Sequence, residues 1–187
     1  MADRQTIAVF GATGAQGGGL VRAILADKSG PFRARAITRD PGSDKAKALA
    51  AAGAEVVHAD ADNPETLVKA LEGASGAFCV TNFWEHMSVD REIAQATALA
   101  RATKAAGLKH VVWSTLEDTR KTVPLSDPRI PTLHGKYKVP HFDGKGEVDA
   151  VFATEAAPTS YLLAALDRKS TRLNSSHSQQ SRMPSSA

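Results

Sequence analysis

TIAVFGATGAQGGGLVRAIL, residues 6–25, decides how the rest of the chain is read. TIAVF is an apolar, β-branched run closed by Gly11, and from Gly14 to about Asp27 the residues Leu20, Val21, Ile24 and Leu25 share one helical face. This is strand, tight loop, helix. In that context Gly11, Gly14 and Gly17, spaced G-x-x-G-x-x-G, let a backbone approach a pyrophosphate held at a helix N-terminus. A glycine triplet by itself also suits a plain turn, so the reading depends on whether the downstream sequence continues the pattern.

Residues 33–164 repeat the unit. RARAIT (33–38) reads as a second strand, an alanine-rich helix spans about 43–52, and AEVVHA (54–59) reads as a third strand. Pro64 suits the first turn of a helix over PETLVKALEGA, with Asp62 or Asn63 available as its cap. GAFCVT (76–81) is a continuous apolar run, as expected of a strand covered by helices on both faces. A long helix from about Ser88 closes on Gly107, KHVVWS (109–114) forms a fifth strand, and residues 117–140, with four prolines, read mostly as loop. A helix from about Asp143 to Ala156 and a sixth strand, TSYLLA (159–164), complete the pattern. Strands and helices alternating every 20 to 25 residues or so predict a doubly wound α/β fold with a parallel, Rossmann-like sheet.

The composition, 42% hydrophobic and 23% charged over 187 residues, fits one globular domain. No apolar run reaches the roughly 20 residues of a membrane helix, and MADRQ leads straight into a strand without the apolar segment of a signal peptide, so a cytoplasmic location is expected. Cys79, the one cysteine, excludes an internal disulfide and reads as a buried core thiol. His58, His86, His110 and His134 show no metal-ligand spacing, and no metal is assigned.

The net charge of +3 invites a nucleic-acid reading, but the excess lies wholly in residues 167–187, where Arg168, Lys169, Arg172 and Arg182 face Asp167 alone. Residues 1–166 are neutral, which argues against a DNA-binding module.

The end of the second strand discriminates between nicotinamide cofactors. An acid there suits the ribose hydroxyls of NAD, a cation the 2′-phosphate of NADP. Thr38, Arg39 and Asp40 offer both, with Lys45 close behind; Arg39 also suits a solvated surface. The balance of cations favours NADP(H), with NAD(H) second.

With the glycine loop, Arg39, VTNFWE (80–85) and HFDGKGEV (141–148) all in view, the chain resembles the NmrA-like family, atypical short-chain dehydrogenase relatives that bind NADP(H). The likeness runs from about Thr6 to Leu166, and HFDGKGEV is its most specific part. It implies a phosphate loop over Gly11, Ala12, Thr13, Gly14, Ala15, Gln16 and Gly17, and a 2′-phosphate cation at Arg39. It further implies adenine-side contacts at Asp60 and Ala61, nicotinamide-side contacts at Thr81, Asn82 and Phe83, and a cofactor lysine at Lys145.

Active short-chain dehydrogenases pair a tyrosine with a lysine four residues on, the lysine lowering the phenol pKa, and steady the substrate oxygen with a serine. Here His141 stands at the tyrosine position, with Lys145 and Ser114 at the other two. A lysine that helps a phenol ionise pushes an imidazole towards its neutral form, so His141 is a poor proton donor and equally well a plain helix-start residue. The resemblance therefore implies a redox sensor that reports the NADPH to NADP⁺ ratio to a protein partner, through cofactor-dependent loops at 82–88 or 117–140. The alternative is an NADPH-dependent reductase of quinones or related carbonyls using Ser114, His141 and Lys145.

The last residues break the pattern. Asp167 to His177 can be written in codons that spell a common sequencing-library adapter, and Ser181 to Ala187 fits its continuation. The expectation is an incomplete NAD(P)-binding domain over 1–166, a non-native and disordered tail over 167–187, and marginal stability from an exposed sheet edge.

Overall fold

The computed structural model describes residues 4–164. The chain runs β1 (Gln5–Val9), α1 (Ala15–Ala26), β2 (Phe32–Thr38), α2 (Asp44–Ala51), β3 (Glu55–His58), α3 (Pro64–Leu71), β4 (Gly76–Cys79), α4 (Val89–Ala105), β5 (His110–Thr115), α5 (Pro140–Glu155) and β6 (Thr159–Leu163). The strands form one sheet in the order β3-β2-β1-β4-β5-β6, every pair parallel. This is the predicted doubly wound, Rossmann-like fold. Its order reverses between β1 and β4, the place where such sheets open a crevice at the strand C-termini.

Period-two alternation splits the core between the two faces. Ala8 and Phe10 join Leu67, Leu99, Trp113, Val148 and Phe152 on one side, while Val9 joins Val21, Leu49 and Phe78 on the other. Trp113 and Phe152 stack at 4.5 Å between ring centroids, and the indole Nε1 donates to Asp149 Oδ1 at 3.0 Å. Cys79 is buried as expected, and burial pushes its thiol pKa up.

Helix starts follow local chemistry. Ser43 accepts from the Ala46 N–H and Ser88 from the Arg91 N–H, capping α2 and α4. Asn63 takes the N-cap place of α3 with Pro64 in the first turn, but its side chain makes no capping bond; Asp62, the other candidate cap, turns to α4, where Arg91 and Gln95 donate to it. Several boundaries differ from the expectation; α3 ends at Leu71, three residues before the expected Ala74, and two further shifts have a visible cause. β4 ends at Cys79, two residues early, as Val80 and Thr81 leave the sheet towards a 3-10 turn at Phe83–Glu85. α5 starts at Pro140, three residues early, because the Asp143 carboxylate accepts from the Lys138 and Val139 N–H groups and fixes that start.

Residues 117–140 are mostly irregular, with a 3-10 turn at Thr119–Lys121 and a bridge between Leu133 and Tyr137. They are tied down from within: Asp143 also accepts from the Thr119 N–H at 2.8 Å and from its hydroxyl, and Lys138 Nζ donates to the carbonyls of Asp127 and Ile130, both at 2.7 Å. At the sheet edge β6 exposes Tyr161, Leu162 and Leu163 by 40%, 48% and 54%. Among the described residues no helix is long and apolar enough to cross a membrane. The expected tail, 167–187, lies outside them.

Candidate functional site

Every strand being parallel, the segments after β1, β2, β3, β4 and β5 emerge on one edge of the sheet, and the predicted site residues are on those segments, at the end of β5 (Ser114) and in the first two turns of α5. Gly11 turns the chain with φ +62°, and a side chain there would meet Val80 Cγ1 at 2.8 Å. Gly17 is held for a different reason: a Cβ on it would stand 2.4 Å from the Gly11 carbonyl oxygen, so α1 reaches the loop only because that atom is missing. The Gly14 N–H donates to Gly11 O at 2.9 Å and closes the loop. α1 then begins at Ala15 with no capping side chain and no acid in its first turn, which leaves its N-terminal amides and positive dipole end facing the crevice. Ala12 packs in the core beneath, and Thr13 and Gln16 are partly buried.

At the end of β2 the two candidates separate. Asp40 Oδ1 accepts from the Gly42 N–H at 2.9 Å within its own turn, whereas Arg39 reaches sideways and its Nη1 pairs with Glu85 Oε2 at 2.8 Å. Asp60 organises the turn after β3, its Oδ1 accepting from the Asp62 N–H, and Ala61 packs against the core. The Arg91 guanidinium on Asp62 holds that carboxyl below the usual carboxylate range and ties this corner to α4.

The floor beyond β4 and β5 holds a buried charged cluster. Lys145 Nζ donates to Thr81 O at 3.2 Å, Thr81 Oγ1 at 3.1 Å and Ser114 O at 3.2 Å, and lies 4.7 Å from the Trp113 ring centroid. Thr81 Oγ1 donates to Glu92 Oε1 at 2.6 Å, and Lys145 Nζ sits 3.5 Å from the same oxygen. Desolvation lowers the Lys145 pKa, and the Glu92 charge opposes that shift. His86, buried beside them, accepts from the Ser88 N–H through Nδ1, which places the neutral ring's proton on Nε2, 3.7 Å from Glu92 Oε2. Among the described residues neither of those last two atoms has a hydrogen-bond partner.

The three candidate catalytic residues come to this region, each with partners of its own. The Ser114 hydroxyl donates to Gln16 Oε1 at 2.7 Å, fastening β5 to the glycine loop. The three donors of Lys145 are directed into the floor. His141, in the first turn of α5, packs its ring against Trp84 at 4.8 Å, Phe142 at 4.9 Å and Phe83 at 5.9 Å. Asn82 Nδ2 donates to Glu85 Oε1 at 3.2 Å. Among the described residues no three His, Cys, Asp or Glu side chains gather as a metal site requires.

Glu92, Glu85 and His86 were not singled out from the sequence. Glu92 carried one usable clue: Val89, Glu92, Ala96, Leu99 and Thr103 keep the three-and-four spacing of a buried helical stripe, and a carboxylate within such a stripe needs buried partners. Glu85 and His86 carried none, since their partners are set by the turn after β4.

The model of the NmrA-like family matches residues 3–169. An NmrA-like family domain-containing oxidoreductase of Malbranchea aurantiaca is 44% identical over 117 residues, 59% of this chain and 34% of the relative. Among solved structures, the Citrobacter sp. triphenylmethane reductase complexed with NADP(H) matches with TM-score 0.68 and 26% identity, covering 87% of this chain and 50% of that one. NmrA, a negative transcriptional regulator solved in complex with NADP, matches with TM-score 0.68 and 27% identity over 88% of this chain and 46% of that one, and it has also been solved with NAD. The chain thus spans between 34% and 50% of the length of these proteins.

Proposed function

The chain belongs to the NmrA-like family, and on that premise we propose that it binds NADP(H), NAD(H) less well, and serves a redox-sensing regulator and not an efficient dehydrogenase. The residues present fit the dinucleotide. The tight glycine loop, closed by the Gly14 N–H on Gly11 O, brings the uncapped first-turn amides of α1 to the crevice, where they receive the pyrophosphate. Arg39 takes the 2′-phosphate, with Asp40 already occupied by its own turn. Asp60 and Ala61 flank the adenine side, and Thr81, Asn82 and Phe83 the nicotinamide side. Lys145 meets a ribose by exchanging one of its bonds to Thr81 or Ser114. The nicotinamide ring, when bound, supplies a hydride donor or acceptor.

One observation supports the regulator reading over the reductase reading: the polar groups of Ser114 and Lys145 are taken up by the protein itself. Proton transfer to a substrate carbonyl needs donor and steadying hydroxyl within hydrogen-bond reach of one atom. Here the serine is given to Gln16, the lysine to the floor and the imidazole to an aromatic cluster. The state of the cofactor is then passed to a protein partner instead of a substrate. The reductase reading is favoured by the oxidoreductase relatives and by the NADP(H)-bound triphenylmethane reductase.

Calorimetric titration with NADP⁺, NADPH and NAD⁺, together with NADPH absorbance followed against a quinone panel, separates the readings. Tight NADP(H) binding without steady NADPH consumption is expected. Sustained turnover that disappears in Lys145→Ala overturns the regulator reading in favour of the reductase.

A further inference from the structure

The 3-10 turn after β4 places a carboxylate directly on the residue assigned to the 2′-phosphate. Arg39 is the first residue beyond β2 and Glu85 the last of the turn Phe83–Glu85 beyond β4, while β1 lies between those two strands. Their 2.8 Å ion pair therefore passes over the C-terminal end of β1, above the start of the glycine loop, bridging two strand spacings or about 10 Å. The same carboxylate accepts from Asn82 Nδ2 through its other oxygen. Glu85 thus grips the adenosine-side cation with one oxygen and the nicotinamide-side amide with the other.

We propose that Glu85 is a specificity-determining strap, which competes with the 2′-phosphate for Arg39 and is displaced by NADP but not by NAD. The proposal rests on the dinucleotide reading above. Both side chains are half exposed, 54% for Arg39 and 42% for Glu85, so the pair is screened by water and readily exchanged. A phosphate monoester carries up to two charges and meets a guanidinium through two parallel bonds, and it outcompetes a single carboxylate oxygen. NAD presents only a hydroxyl at that place and leaves the strap closed. Release of Glu85 also frees Asn82 and loosens the turn that carries Phe83 and Trp84, whose rings lie against His141. Capture of the 2′-phosphate at one end of the crevice is in this way felt at the other.

The test is a double-mutant cycle on the whole 187-residue chain, with Kd measured for NADP⁺ and NAD⁺. Glu85→Gln, which keeps an oxygen for Asn82, is expected to tighten NADP⁺ about two- to five-fold, the worth of an exposed pair, and to leave NAD⁺ unchanged. Glu85→Asp, too short to span, should behave alike. Arg39→Gln should weaken NADP⁺, and in that background Glu85→Gln should no longer tighten it. Trp84 emission, isolated from Trp113 by a Trp84→Phe control, should shift with NADP⁺ and not with NAD⁺. An unchanged NADP⁺ to NAD⁺ ratio in Glu85→Gln overturns the strap while the dinucleotide reading stands. So does tightening that persists without Arg39, which marks a general charge effect. If the wild-type chain binds neither nucleotide, the dinucleotide reading falls and the strap with it.

Discussion

At the scale of single residues, the cluster of Glu92, Thr81, Lys145 and His86 is the least expected feature. Glu92 is fully buried, 0% exposed, and its charge is compensated by Lys145 at 3.5 Å and by the Thr81 hydroxyl. Such a pair contributes little over an apolar packing, yet removing one partner strands the other in a desolvated site. Glu92→Gln is accordingly expected to destabilise the fold by about 3–5 kcal/mol at neutral pH. The pH dependence identifies the cause. Desolvation puts the folded-state pKa of Lys145 below its ordinary value, so between those two values the unfolded chain binds more protons and stability rises with pH. Without Glu92 the charge that opposed this shift is gone, the folded pKa falls further, and the rising window opens at lower pH. Thermal unfolding of both proteins from neutral pH to about pH 10 should therefore show the gap between variant and wild type narrowing as pH rises. A constant gap means that Glu92 acts through packing and not through its charge on Lys145.

At the scale of elements, α1 and its loop make the glycines separable by function. Gly17 and Gly19 lie two residues apart in the same helix, but a Cβ at Gly17 would meet the Gly11 carbonyl at 2.4 Å, whereas one at Gly19 meets nothing within 4 Å. Gly19→Ala is expected to stabilise the protein by about 0.5–1 kcal/mol through helix propensity, with nucleotide affinity retained. Gly17→Ala should push α1 off the loop, lowering both the melting temperature and NADP⁺ affinity. Melting curves with and without NADP⁺ read both effects, and equal behaviour of the two variants contradicts the loop geometry. That loop was fully legible in advance, because a strand, three spaced glycines and a helix are consecutive in the chain. The alternation of period two and period 3.6 likewise located all six strands of the described residues. The start of α5 was not legible, since Asp143 fixes it by bonds to Thr119, Lys138 and Val139 across an irregular segment rich in proline. Within the site, Arg39 was legible as a cation at a strand end, but its partner Glu85 was not. The contact exists only because β2 and β4 flank β1, a fact of topology and not of local sequence.

At the scale of the whole molecule, the sheet ends in a strand that the described residues leave uncovered. β6 pairs with β5 along Thr159–Leu163, and no further strand lies beside it among the described residues. Its outer backbone groups therefore pair with no ladder of the described residues, and Tyr161, Leu162 and Leu163 present apolar surface on both faces at once. An edge that is both unpaired and apolar is a template for another chain, and a lysine on such an edge blocks pairing by refusing burial of its charge. Leu162 and Leu163 are about half exposed, so replacing either removes little core packing; the folding stability of Leu162→Lys or Leu163→Lys should change by no more than about 0.5 kcal/mol. Concentration-dependent association should fall sharply in the same variants. Sedimentation velocity over a range of protein concentrations, beside melting curves of dilute samples, measures the two quantities separately. Association that persists unchanged in Leu162→Lys shows that chains meet through another face. A large loss of stability shows instead that these leucines pack more tightly against the rest of the fold than their exposure indicates.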